Sequence, residues 1–225
     1  MRGPTLSLLT RLLTLAAVLL VLRVIFSVLI GYRSYFPPDF NSEFLFGREV
    51  HFYGGYQWAF YPHIIAGPVT LLLGLLLMSE RLRRTWPRWH RRLGRMQVII
   101  ILLIVVPSGL GMAMYPAAGP LAGVGLVLLA VLTGLTTAFG WRAAVQRRFR
   151  EHRQWMWRSY LLLCSAVVIR VIGGVATVLG TTAWWIDPAA VWLSCLGPLV
   201  VFELLQWHRR RVGRPPASEF NAPPA

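Results

Sequence analysis

Five histidines and three charged residues set inside apolar runs are the side chains of this sequence whose types and spacing could do chemistry. Two of the histidines repeat a local pattern, His63-x-x-x-Gly67 and His90-x-x-x-Gly94. Residues four apart share one face of a helix. A glycine one turn from an imidazole leaves a flat gap beside the ring, and a porphyrin plane held through a ring nitrogen could lie in it. Haem iron takes histidine as an axial ligand, and bundle cofactors are held by side chains on facing helices. His90 and His152 both fall just ahead of long apolar runs, at similar depth. They are the candidate iron ligands of a haem b, with Arg91, Arg95 or Arg158 meeting its propionates. His63, with His51, is a candidate for a second site at the opposite surface. The run Leu121–Trp141 holds no histidine, so a symmetrical two-haem arrangement lacks a ligand. Zinc fits less well, because no carboxylate or cysteine joins the histidines at ligand spacing. Nucleophilic hydrolysis has no Gly-x-Ser-x-Gly to rest on.

The intramembrane charges are Arg23, Arg170 and Glu203. Such groups are costly in hydrocarbon and tend to be functional. Helical rise puts both arginines on the order of 17 Å from one edge and Glu203 about 6 Å from it. The long arginine stem could narrow that difference, so the expected pair is Glu203 with Arg170. Arg23 is then left to backbone carbonyls, a lipid phosphate or an anionic ligand. The plainer reading is an ion pair that only holds the bundle together.

The elements that must position these groups follow from composition. Of 225 residues, 56% are hydrophobic and 14% charged, against about 25% charged in soluble domains. Spanning a bilayer takes about 20 apolar residues. Six stretches qualify: Leu8–Ile30, Trp58–Met78, Met96–Tyr115, Leu121–Trp141, Met156–Gly180 and Ala189–Trp207. The expected fold is therefore all-α, a polytopic bundle of about six transmembrane helices forming one domain over residues 1–214.

The net charge is +15 and every basic residue is arginine. The arginines crowd the second and fourth connections and the stretch after the last run. The other connections hold Asp39, Glu43, Glu49 and Asp187. That asymmetry places both termini in the cytoplasm and the protein in the cell's inner membrane. It makes anionic lipid headgroups the expected partners of the arginine loops, ahead of nucleic acid. The first run is too long for a signal-peptide core and lacks a small-x-small cleavage site, so it reads as a retained helix. Cys164 and Cys195 lie inside runs, form no Cys-x-x-Cys and read as packing residues.

The first external loop, residues 31–57, is aromatic, and Pro37-Pro38 and Gly54-Gly55 forbid a continuous helix there. It reads as an interfacial cap, or alternatively as a lid over an external ligand site. Tryptophans near the predicted helix ends suit the membrane–water boundary. Residues 215–225, rich in proline and alanine, read as a disordered tail.

The strings HIIAGPVTLLLG (63–74), WHRRLGRM (89–96), EHRQWMWRSY (151–160) and AVVIR (166–170), with Trp192 and Glu203, resemble a bacterial membrane family known as domain of unknown function 2306. The resemblance runs from about Phe36 to Trp207. It implies that His63, His90, Gly94, Arg95, His152, Trp155, Met156, Arg158, Arg170 and Glu203 occupy motif positions, and it supplies no activity. A more distant likeness is to six-helix, two-haem cytochrome b proteins. Three functions stay open: a haem b protein moving electrons in the membrane, a binding or transport protein for a lipid or small anion, and an accessory subunit without chemistry of its own.

Overall fold

The computed structural model describes residues 4–212 except Glu43 and Thr182. The tail expected at 215–225 lies outside the described residues. Among the described residues every regular element is helical, and the one β feature is an isolated bridge between Tyr35 and Pro38. Six helices are long and apolar enough to cross a membrane. They are α1 (Leu8–Ser34), α2 (Glu49–Met78), α3 (Pro87–Ala113), α4 (Gly119–Val145), α5 (Phe149–Val178) and α6 (Ile186–His208). The all-α expectation holds.

Three helices begin well ahead of their apolar runs, α2 at Glu49 rather than Trp58 and two others at their basic ends. α3 starts at Pro87 rather than Met96, and α5 at Phe149 rather than Met156. Each carries a basic, amphipathic extension past the hydrocarbon. Proline suits a first helical turn, whose N–H groups have no partner within the helix, and Pro87 takes that position.

The helices α2, α3, α4 and α5 form a ring, each touching the next, with α5 closing back onto α2. This sets α3 and α5 diagonally across the ring. α6 packs on α4 and α5, while α1 packs mainly on α2 and α5 among the described residues. Small residues allow the close approaches. A Cβ built on Gly74 would sit 2.4 Å from the Tyr160 ring, and one on Gly125 would sit 2.8 Å from Val191. Buried hydroxyls tie α4 to α5, with Thr137 and Ser159 2.7 Å apart.

Besides α2, described below, two helices are locally irregular. A π-helical turn, Ile101–Val105, precedes Pro107 in α3, where proline withholds a backbone donor. Helix α5 is interrupted at Cys164.

The connections carrying most arginines share one end of the bundle, here the arginine-rich end. At the other, aromatic end, the first loop forms a small core. Leu45, Phe52, Tyr56 and Phe60 are almost fully buried there. Arg48 fastens it, donating from Nε to Phe44 O (2.8 Å) and from Nη1 to Tyr56 Oη (2.8 Å) and Tyr115 O (3.2 Å). The expected break at Gly54-Gly55 is narrower than the sequence suggests. The chain is helical on both sides of one kink at Gly55, where φ is 139°, a value open to glycine without strain.

Candidate functional site

His90 and His152 each occupy the fourth position of their helix at the arginine-rich end. They stand on diagonal helices, within electrostatic reach of one another. His152 Nδ1 lies 2.8 Å from the carbonyl oxygen of Gly140. A carbonyl only accepts, so Nδ1 carries a proton and donates it there. A metal-binding histidine commonly has this arrangement, one ring nitrogen anchored to backbone and the other free to ligate.

His90 has no such anchor. Its Nδ1 is buried and has no hydrogen-bond partner, and the same is true of Gln97 Oε1. These are the two orphaned buried side-chain atoms among the described residues. His90, Gly94 and Gln97 stand at positions i, i+4 and i+7, one face of α3. Between the two orphans, a Cβ on Gly94 would meet nothing within 4 Å. Gln97 is otherwise fixed, its Nε2 donating to Thr70 O at 2.9 Å. Buried polar atoms are nearly always satisfied, which makes this stripe of α3 the candidate site.

His63 sits differently. Its Nδ1 lies 3.1 Å from Ser108 Oγ, and Ser108 Oγ also donates to the carbonyl of Ile104. With the hydroxyl proton so used, His63 Nδ1 is the donor to Ser108 Oγ. A Cβ on Gly109 would approach His63 Cε1 to 3.4 Å, so that side of the ring is packed, whereas Gly67 opens onto free space. The Arg170 guanidinium is within electrostatic reach of His63 and also donates to Ala166 O at 3.1 Å. His51 is not brought to His63. It lies against the Tyr115 ring, centroids 5.1 Å apart, at the aromatic end.

The expected pairing of Glu203 with Arg170 is wrong. Glu203 Oε1 accepts from Arg158 Nε at 2.6 Å. Depth explains the difference, since Arg170 is twelve residues beyond Arg158, about 18 Å further along the helix. A stem cannot bridge that span. Arg158 also lies over the rings of Trp155 (4.7 Å) and Phe202 (5.4 Å). Arg91 and Arg95 are exposed at the same end. Arg23 is exposed on the outside of the bundle, so it lines no interior path.

Sequence reasoning passed over Gln97, Ser108 and Gly140. Gln97 had a signal, a lone amide in an apolar run at helical spacing from His90 and Gly94. Gly140 had none, because it acts through its backbone carbonyl.

Among the described residues no group of three or more histidine, cysteine or carboxylate side chains is placed to hold a metal ion. Any iron here would rest on two imidazoles and its own macrocycle.

A family model described as "Predicted membrane protein (DUF2306)" matches residues 60–207. No curated protein and no solved structure matches. The chain belongs to that family of predicted multipass membrane proteins, whose description names no activity.

Proposed function

For this member of the domain of unknown function 2306 family, we propose a haem b protein that moves electrons within the membrane, its macrocycle held between His90 and His152. The observation that carries the reading is the orphaned pair His90 Nδ1 and Gln97 Oε1 flanking the open space at Gly94. A planar group entering there would lie along α3. It would meet the His90 imidazole on one side of the ring of helices and His152, already oriented by Gly140, on the other. Arg91 and Arg95 supply positive charge for propionates at the same end. Such a group would supply one-electron chemistry at the arginine-rich end of the bundle. The chain's part is to fix the two imidazoles, exclude water and pair the carboxylates.

The arginine-rich end is proposed to face the cytoplasm, by the bias of basic residues in short connections, and the membrane is proposed to be the inner one. The same arginines are proposed to hold anionic headgroups. An internal path for a lipid or anion is the less favoured alternative, because Arg23 points out of the bundle.

The test is a haem titration of detergent-purified protein followed by absorbance. Wild type should take up haem stoichiometrically with a low-spin spectrum. His90→Ala and His152→Ala should each lose it, and His51→Ala should not. Equal uptake by all four proteins, or none by wild type, would remove the reading.

A further inference from the structure

Arg23 is a charged residue well inside α1, and no hydrogen bond or ion pair holds it among the described residues. The buried side of α1 is formed by Val21, Val24 and Ile25, with Val28 packed beside them, against Leu71 of α2 and Val167 of α5. At 100° per residue, Arg23 falls about 150° from the middle of that face. It therefore points away from the bundle, and its side chain is exposed.

Escape to water is also closed. Arg23 is twelve residues from Arg11 and eight from Gly31, about 18 Å and 12 Å along the helix. The nearer end is the aromatic one. Side chains on a helix lean toward its N-terminus, so Arg23 leans away from that nearer end. Neither distance is within reach of an arginine stem carrying its head group to the surface.

Among the described residues no carboxylate pairs with Arg23. The ion pairs there use Glu80, Glu151 and Glu203. Asp39, Glu49 and Asp187 belong to connections or first turns at the aromatic end, away from the middle of α1. A second copy in the same orientation would bring the same carboxylates at the same depths, so it offers no match either.

We propose that the Arg23 face of α1 is a docking surface for a transmembrane helix of a different protein, one that carries an aspartate or glutamate in mid-span. Charge complementarity sets the partner's chemistry. An arginine in hydrocarbon persists where it pairs, and a carboxylate at equal depth is the pairing that relieves both costs. The shallow packing of α1, held mainly by two neighbours among the described residues, leaves most of its circumference open to such a helix.

The experiment uses the full chain, donor-labelled and reconstituted in neutral phosphatidylcholine vesicles. The probe is an acceptor-labelled synthetic poly-leucine helix of about 20 residues, with one central aspartate, compared with its all-leucine counterpart. Energy transfer should show the aspartate probe binding about tenfold more tightly. Arg23→Leu and Arg23→Gln should abolish that preference while Arg23→Lys retains it. Circular dichroism should show all three variants as helical as wild type. No preference in wild type would overturn the proposal, as would a preference that survives Arg23→Leu. Self-association of the chain that depends on Arg23 would overturn it in favour of a second copy. Loss of the preference when anionic lipid is added would overturn it in favour of a lipid phosphate.

Discussion

Arg158 on α5 and Glu203 on α6 form an ion pair of 2.6 Å in which the cation is the more enclosed partner, 16% exposed against 51%. Removing the acid therefore strands a charge held between Trp155 and Phe202, whereas removing the base leaves a carboxylate that still meets solvent or headgroups. Glu203→Leu should cost about 1–2 kcal/mol, well short of a fully buried pair because Glu203 is half-exposed. The double replacement Arg158→Met with Glu203→Leu should recover part of that loss. Reversible unfolding in mixed detergent micelles measures both.

Two glycines on facing surfaces should separate packing from ligand space. Gly74→Ala drives a methyl into the Tyr160 ring, 2.4 Å from its nearest atom. Overpacking of this kind costs about 1–3 kcal/mol. Gly94→Ala meets nothing within 4 Å and, by replacing a glycine inside a helix, should raise stability by up to about 1 kcal/mol. Gly94→Leu should leave the fold intact and block haem uptake, since it fills the space beside His90. Thermal unfolding and haem titration, run on the same preparations, distinguish the two effects.

The aromatic cap depends on one cation. Arg48 bonds Phe44 O, Tyr56 Oη and Tyr115 O and lies 4.8 Å from the centre of the Phe44 ring. Arg48→Ala should weaken the cap by about 2 kcal/mol, the scale of lost charge-assisted bonds. Faster hydrogen exchange confined to residues 44–56 is the expected signature, with exchange in α4 unchanged.

At the arginine-rich end, the hydrogen bond and charge of Arg84, with help from Arg83, hold the Glu80 carboxyl below its ordinary range. A depressed carboxyl contributes above its unfolded value and is lost as pH falls through its folded one. The helix Glu80–Thr85 should therefore loosen only at acid pH, below the usual glutamate range. Amide shifts of Leu82 and Arg83 followed through that range measure it.

The sequence made the six spans legible because hydrocarbon demands length and apolarity, and the arginine asymmetry ordered their ends. Side-chain pairing was harder. The expected partner of Glu203 is a mid-span arginine, yet its partner is Arg158, which the apolar run starting at Met156 sets at the very edge of the span. The helix in fact starts at Phe149, which puts Arg158 more than two turns inside it. Arg48 was invisible for a different reason. Its three bonds join positions 44, 56 and 115, and nothing in local spacing announces a contact across 67 residues. His90 and His152 were legible as a pair at one depth, but the orphaned Gln97 Oε1 that gives their surroundings meaning emerged only from the packing of α3 against Thr70.

The most direct measurement is a reduced-minus-oxidised difference spectrum of membranes from cells expressing the chain with ample haem precursor. The account expects sharp Soret and α bands that scale with expression and vanish in His90→Ala and His152→Ala. A featureless spectrum from well-expressed wild type, or bands unchanged by either substitution, would contradict it.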